Sequence, residues 1–329
     1  MKILIDIGHP AHVHIFKNIA WNLSQKGHTI LFTCRDKENE LYLLKKHGFN
    51  FISFGENKKT KLGKILGLFY FNLKMLFIAL RFKPNMFLSH GSMYAAQIAW
   101  LLRKTHISLE DSGNKEQIRL YAPFTNAIVT PDFLPNNLGK KQIRYRSNHE
   151  LAYLHPNFFQ TNDDIYSYLN ISKKHPYAIL RFVSWVATHD SGQKGLSYKE
   201  KEYLTKFLIS KNIKVFISAE RHQLPDNLKK YSIKIPPDKM HDALANAIIY
   251  IGEGATMASE AGVLGTPSLY VSTIERCYNI DQEKYGLVFN FVKFDGVLNK
   301  IDEILNLNNR ISVFKNRREK FLNDKIDFT

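Results

Sequence analysis

At 329 residues the chain is longer than the roughly 250 to 300 over which one hydrophobic core keeps growing, so two domains are expected. Its 44% hydrophobic and 23% charged residues exclude a largely disordered chain, and its two distant cysteines, Cys34 and Cys277, exclude a disulfide scaffold or a thiolate zinc site. Forty-six Lys and Arg against thirty Asp and Glu leave a formal charge of +16, which calls for an anionic partner: nucleic acid, nucleotide or acidic lipid.

The chain opens MKILIDIG, with an apolar strand directly after Lys2 instead of a hydrophobic signal core, so export is not expected. Ile3 to Ile7 reads as a strand, Phe16 to Gln25 as a helix closed by Gly27, and Thr29 to Thr33 as a second strand. A helix ending near His47-Gly48, a strand at Phe49 to Ser53 and a long helix follow. Then come a strand at Met86 to Ser89, a helix from Met93 to Arg103, and strands at His106 to Leu109 and Ala127 to Thr130. Such alternation predicts a parallel sheet covered by helices.

Between Arg144 and Asp164 the pattern lapses, and a domain boundary is expected there. The rhythm resumes with a strand at Tyr177 to Leu180, a helix at Lys199 to Lys211 and a strand at Lys214 to Ser218. A helix at His241 to Ala247, a strand at Ile248 to Ile251, a helix at Met257 to Gly262 and a strand at Ser268 to Val271 complete it. The expectation is an α/β chain of two doubly wound, Rossmann-like domains, 1–158 and 159–310, facing a cleft at the carboxyl ends of their strands, with 311–329 as a tail returning to the first domain.

The stretch 57–83 carries seven basic residues and no acidic one, interleaved with Leu, Ile, Phe, Tyr and Met. Its longest charge-free run, Ile65 to Leu73, is far short of the ~20 residues that span a bilayer. A helix of this kind either packs normally with a solvated lysine face or lies on an anionic membrane surface.

Three segments carry candidate chemistry. Gly8-His9-Pro10-Ala11-His12-Val13-His14 follows the first strand, where a Rossmann-type fold places its phosphate loop, and an imidazole there is suited to removing a proton from a hydroxyl. Capping and metal binding are the alternatives, but a lone His-x-His without acidic company is a poor metal site, and no metal is expected. In the second half, Tyr250 to Gly262 runs from a strand through Gly252-Glu253-Gly254 into a helix whose N–H groups and dipole suit phosphate, with Glu260 able to accept from a ribose diol. The third segment, Ser89 to Gly113, contains His90 and Glu110.

His241 to Val271, HDALANAIIYIGEGATMASEAGVLGTPSLYV, resembles the nucleotide-sugar segment of GT-B glycosyltransferases and of non-hydrolysing UDP-N-acetylglucosamine 2-epimerases. The opening MKILIDIGHPAHVHIFKNIA and SHGSMYAAQIAWLLRKTHISLEDSG resemble an uncharacterised bacterial and archaeal family placed with GT-B proteins. The resemblance implies the GT-B fold. It also implies that His12 matches a candidate base in the enzyme that makes peptidoglycan's lipid-linked disaccharide, and that Glu260 matches its ribose-binding glutamate. Gly254, Ala255 and Thr256 then match its diphosphate-facing loop, with Ser259 beside them. Arg181 falls where the superfamily contacts phosphate, with Ser184, His189 or Gly192 able to share that role, while His9, His14 and His90 lie on the acceptor side. Against the epimerases, SLEDSG aligns Glu110 with a catalytic carboxylate, but their HGD reads His90-Gly91-Ser92 and their HRREN segment is absent.

The resulting expectation is a metal-independent, cofactor-free glycosyltransferase in which His12 or Glu110 deprotonates the acceptor. Its donor is a nucleotide-sugar, UDP-sugar favoured. Its acceptor is a surface-glycan or lipid-linked one, and 57–83 meets the inner face of the cell membrane, making the protein cytoplasmic and peripheral. A sugar-nucleotide 2-epimerase or hydrolase is the first alternative. A nucleic-acid binder is the second, but no nucleic acid is expected as partner because no helix-turn-helix, zinc-finger or RNP signature is present.

Overall fold

The computed structural model describes residues 1–36, 39–55, 61–183, 195–219 and 224–329, with the backbone alone over 61–66. The chain divides into two compact units, Met1–Tyr153 with Ile326–Thr329, and Leu154–Lys325. The fold is α/β throughout, with parallel strands joined by helical crossovers.

Unit 1 begins with β1 (Lys2–Ile7), α1 (Pro10–Gln25), β2 (Thr29–Cys34), α2 (Glu40–Lys46) and β3 (Phe51–Ser53). It continues with α3 (Lys61–Phe82), β4 (Met86–His90), α4 (Met93–Leu101), β5 (Thr105–Leu109), α5 (Lys115–Tyr121), β6 (Ala127–Pro131) and β7 (Gln142–Tyr145), and a single turn, α6 (Leu151–Leu154), ends it. The strand order is β3-β2-β1-β4-β5-β6-β7. Beyond β1 the chain builds outward one way and then returns to build the other way from β4. The β1/β4 pair is therefore the switch point at which crossovers diverge and leave a crevice at the strands' carboxyl ends.

Two readings of this unit change. The first helix starts at Pro10, six residues before the expected Phe16, because His9 caps it through Nδ1 and proline at the first helical position needs no hydrogen-bond partner. The expected boundary region begins inside β7, a short edge strand whose Ile143 and Arg144 are exposed, so it shows no apolar alternation. Past it, Ser147, Asn148, His149 and Glu150 are all buried.

On α3, Phe71, Met75 and Ala79 pack against Leu4, Phe54, Phe87 and the α4 residues Ala95, Ile98 and Ala99. The opposite face carries Phe69, Leu73, Phe77 and Leu80, which are exposed, Phe77 by 78%. The only lysine on the described part of this helix, Lys74, turns back to donate to the Phe54 carbonyl at 2.9 Å. The outward face between 69 and 80 is thus apolar rather than lysine-lined. Asn57, Lys58 and Lys59 lie outside the described residues, as do the side chains of Lys61 and Lys64.

Unit 2 comprises α7 (Asp164–Tyr168), β8 (Tyr177–Phe182), α8 (Tyr198–Ser210), β9 (Lys214–Ala219), α9 (Met240–Asn246) and β10 (Ile249–Gly252). Then follow α10 (Ala255–Leu264), β11 (Ser268–Val271), α11 (Cys277–Glu283), β12 (Val288–Phe291), α12 (Val297–Leu305) and α13 (Arg310–Asn323). The strand order β12-β11-β10-β8-β9 puts this unit's switch point between β8 and β10. The tail expected to return to the first domain is split. Helix α13 packs within unit 2, where Arg318 Nε donates to the Val263 carbonyl at 2.9 Å and Phe321 meets Tyr285 edge-on, and only Ile326–Thr329 belongs to unit 1.

Candidate functional site

At the unit 1 switch point the first structural fact is a buried carboxylate. Asp6 on β1 is fully buried and accepts hydrogen bonds from Thr33 Oγ1 (2.8 Å), Arg35 Nη1 (3.0 Å) and Ser92 Oγ (2.5 Å). It ties β1 to β2 and to the N-cap of α4. Arg35 also reaches the Ile7 carbonyl at 2.6 Å, and a Cβ at Gly8 would lie 2.5 Å from the same guanidinium, so a larger residue there would have to push this guanidinium aside.

Above that base lie histidines. His9 Nδ1 accepts from the Ala11 N–H, and His12 Nδ1 accepts from the Gly8 N–H at 3.3 Å. A backbone N–H can only donate, so in the neutral His12 ring the proton sits on Nε2. The His12 ring stacks on His90, 4.5 Å between centroids, with His9 5.9 Å from His12. Burial, then the charges of His90 and His9, hold His12 well below the usual imidazole range. His14 is not part of this group. Two residues along a helix is about 200° of rotation, and its ring packs on Tyr153 at 5.4 Å instead.

His90, at the carboxyl end of β4, donates through Nε2 to Asp111 Oδ1 at 3.1 Å, and His149 Nδ1 lies 3.0 Å from Asp111 Oδ2. For His90, burial works downward, but the charge of Asp111 and its hydrogen bond prevail and raise its pKa. Burial would raise Asp111, yet His149 and His90 beside it keep the carboxyl well below the ordinary carboxylate range. His149 is enclosed by Tyr145, stacked at 5.9 Å, and by Phe328 at 5.4 Å.

Glu110 directly precedes Asp111 but faces elsewhere. Its Oε1 accepts from Ser112 N–H (2.8 Å), Ser112 Oγ (2.7 Å) and Gly113 N–H (2.9 Å), and its Oε2 accepts from the Tyr121 hydroxyl (2.8 Å). This carboxylate shapes the turn that presents Asp111.

At the unit 2 switch point, Arg181 on β8 pairs with Gly252 on β10, and a Cβ on Gly252 would come within 2.7 Å of both the Arg181 carbonyl and the Tyr250 hydroxyl. Gly254 is the N-cap of α10; among the described residues no side chain caps that helix, while the Tyr250 hydroxyl donates to the Gly254 carbonyl at 3.1 Å. Gly254, Ala255 and Thr256 are half-buried, so the first-turn N–H groups lie near solvent with their positive dipole end. Arg181 Nη1 donates to Ser218 Oγ at 2.9 Å beside this loop. Glu253 is turned inward, accepting from Val183 N–H (2.8 Å) and Leu196 N–H (2.6 Å).

Deeper in α10, Glu260 Oε1 lies 3.1 Å from His241 Nε2, and Ser259 is fully buried against Gln282. The structure therefore brings Arg181, Gly254, Ala255 and Thr256 to one loop and sets Ser259 on the interior face of the helix. Ser184, His189 and Gly192 lie outside the described residues.

The DUF354 family profile, described as a protein of unknown function, matches residues 1–329. The chain belongs to that family. An uncharacterised protein of Methanocaldococcus jannaschii is similar to it, 25% identical over 320 residues, which are 93% of this chain and 90% of the other. Among solved structures, the UDP-GlcNAc 2-epimerase of Neisseria meningitidis, bound to UDP-GlcNAc, is similar with a TM-score of 0.66 at 14% identity, covering 98% of this chain and 99% of that one. A Streptomyces sp. SF2575 glycosyltransferase complexed with thymidine diphosphate is similar at 0.62 and 14%, covering 98% and 96%. These likenesses establish that the DUF354 chain has the GT-B fold.

Several polar residues of this DUF354 protein escaped the sequence reading: Asp6, Asp111, His149, His241 and Glu253. Asp6 sits inside an apolar strand and Glu253 inside a glycine turn, and both are buried, the usual sign of a paired carboxylate. The signal for His149 was the run Arg146-Ser147-Asn148-His149-Glu150, whose polarity reads as a linker until its burial is known.

Proposed function

We propose that this DUF354 protein is a glycosyltransferase that moves a sugar from a nucleotide-sugar donor, a UDP-sugar in preference, to a glycan or lipid-linked acceptor at the inner face of the cell membrane. The observation that carries the reading is the unit 2 switch point. There, two glycines pressed against β8 lead into an N-terminus of α10 that no side chain caps among the described residues, and the Arg181 stem lies beside Gly254 while its guanidinium reaches Ser218 on β9. Backbone N–H groups and a helix dipole, with a cation on the neighbouring strand, stabilise a bound diphosphate and the charge it gains on leaving. GT-B relatives bound to UDP-GlcNAc and thymidine diphosphate support the same ligand class.

In this reading unit 1 receives the acceptor at His9, His12 and His90. Of the two residues considered for proton removal, Glu110 has four donors on its carboxylate and keeps the turn, which leaves the work to His12. For His12 Nε2 to accept a proton, the ring proton must first move to Nδ1 and the long Gly8 contact must open, a cost of about one neutral hydrogen bond, ~1 kcal/mol. The nucleotide-sugar is consumed as substrate, and no step in this scheme calls on a further cofactor.

The test is calorimetric titration of the whole chain with nucleoside diphosphates and sugar nucleotides, followed by turnover with and without acceptor. Binding of a nucleoside diphosphate, weakened by Arg181→Ala, is expected. So is turnover that depends on an acceptor and falls roughly 10²- to 10⁴-fold in His12→Ala while nucleotide affinity stays. Conversion of a UDP-sugar without acceptor would instead favour the epimerase, and failure to bind any nucleoside diphosphate would defeat both.

A further inference from the structure

Unit 1 holds a side-chain group of which glycosyl transfer by His12 uses only His90, as an acceptor contact. His90, Asp111 and His149 come from three separate places in the chain, the last residue of β4, the turn after β5 and the segment after β7, and their ligand atoms lie within 4.8 Å of one another. All are enclosed, the His149 ring to 99% and the Asp111 side chain to 83%.

The geometry is unusual for a plain hydrogen-bonded triad. His149 Nδ1 is at ion-pair distance from Asp111 Oδ2, 3.0 Å, and among the described residues its Nε2 has no hydrogen-bond partner. Neighbouring Asn148 is equally buried, and among the described residues neither of its amide atoms has a hydrogen-bond partner. Leaving a buried polar group without a partner costs about 1 to 3 kcal/mol, so such a run inside a core calls for an explanation in binding.

Two ligands of one ion approach each other closely without bonding, because their lone pairs converge on the ion; His149 and Asp111 already stand so, and His90 joins them by giving up the Nε2 proton that it donates to Asp111. At zinc-to-nitrogen and zinc-to-oxygen distances near 2.0 to 2.2 Å, tetrahedral ligand atoms stand roughly 3.3 Å apart. The observed separations are 3.1 Å for His90 Nε2 to Asp111 Oδ1 and 3.0 Å for His149 Nδ1 to Asp111 Oδ2, so each imidazole already stands near ligand spacing from one carboxylate oxygen, and a small turn of the carboxylate brings a single oxygen to both. Two imidazoles and one carboxylate are borderline donors that suit zinc or a neighbouring divalent ion better than magnesium or calcium, which prefer oxygen.

We propose that His90, Asp111 and His149 form a divalent transition-metal site, zinc by preference, with three protein ligands and the fourth position left for water or a substrate oxygen. The sequence pointed away from this because His12 and His14, the pair weighed there, diverge on α1, whereas the converging ligands come from His90, Asp111 and a histidine in the apparent linker. Asp111 is set by the Glu110 turn and His149 by Tyr145 and Phe328, so the supporting shell is built on the sheet ends. The site lies wholly within unit 1 and does not depend on the transferase reading.

The experiment is metal analysis of the full chain, purified without chelator and with any affinity tag removed, followed by chelator dialysis and titration with Zn²⁺ against a chromophoric competitor. The Co²⁺-loaded protein is read by its visible absorption. One equivalent per chain is expected, with the intense visible bands of four-coordinate cobalt. His149→Ala and Asp111→Asn should each weaken the metal at least about a hundredfold, beyond what loss of a ligand's support alone costs, while His175→Ala, at an exposed histidine of unit 2, leaves it unchanged. Asp111→Asn keeps the shape of the side chain, so it serves should His149→Ala fail to fold. Binding of less than a tenth of an equivalent after reconstitution, or unchanged affinity in a folded Asp111→Asn protein, overturns the proposal.

Discussion

His106 lies fully buried on β5 with Ser89 Oγ 2.9 Å from Nε2 and Thr125 Oγ1 2.7 Å from Nδ1, and burial pushes its pKa down to about 3. The unfolded chain binds this proton near pH 6.5 and the folded chain does not, so stability is complete above about 6.5 and erodes as pH falls toward 3, by ~1.4 kcal/mol per pH unit from this group. Urea midpoints between pH 7.5 and 5 should show this slope, and His106→Asn should flatten it by about one proton. Glu260 illustrates how far single residues were legible. Its place after the glycine loop marked it for ribose, but its partner His241 emerged only when α9 and α10 packed together. Glu260→Gln keeps a hydrogen-bonding group there and should still cost roughly 1 to 3 kcal/mol of nucleotide affinity by calorimetry if the carboxylate holds a diol. A variant that unfolds earlier but binds nucleotide as before would restrict Glu260 to the pair with His241.

At the scale of elements, what periodicity could reach was the alternation of apolar strands and helices, because buried parallel strands are continuous apolar runs with sharp ends. It missed β7, an exposed edge, and the start of α1, where Pro10 and a histidine cap stood in for the usual Ser or Asp signal. Glycine positions were visible, but their reasons were not. A Cβ on Gly252 would meet the Arg181 carbonyl at 2.7 Å, a backbone atom that cannot swing aside, whereas at Gly67 on α3 the nearest atom is the Phe71 ring edge at 3.9 Å. The same substitution should therefore act in opposite directions. Gly252→Ala is expected to destabilise by about 1 to 3 kcal/mol through overpacking, and Gly67→Ala to stabilise by up to ~1 kcal/mol through helix propensity, both measured by denaturant unfolding.

For the whole molecule, the chain's length foretold two units and the net charge of +16 called for an anionic partner, but neither said where an apolar surface would be left open. No helix among the described residues is long and apolar enough to cross a membrane. Yet α3 carries apolar residues on two faces, with Phe71, Met75 and Ala79 in the core and Phe69, Leu73, Phe77 and Leu80 facing out. A soluble helix normally turns a polar face to water, so an exposed apolar row beside a basic segment fits the interface of an anionic bilayer. Each lysine near such a surface is worth about 1 kcal/mol, and each fully buried Leu or Phe about 1.5 to 3 kcal/mol, so the two contributions are of similar size and separable. Sedimentation with vesicles rich in phosphatidylserine should be lost when Lys58, Lys59, Lys61 and Lys64 are changed to Glu, and should also be lost at high salt. A Leu73→Ser, Phe77→Ser protein should bind vesicles weakly at every salt concentration while keeping its nucleotide affinity and unfolding midpoint. If the unaltered protein ignores these vesicles at low salt, the outward row of α3 serves some other contact and the acceptor is a soluble one.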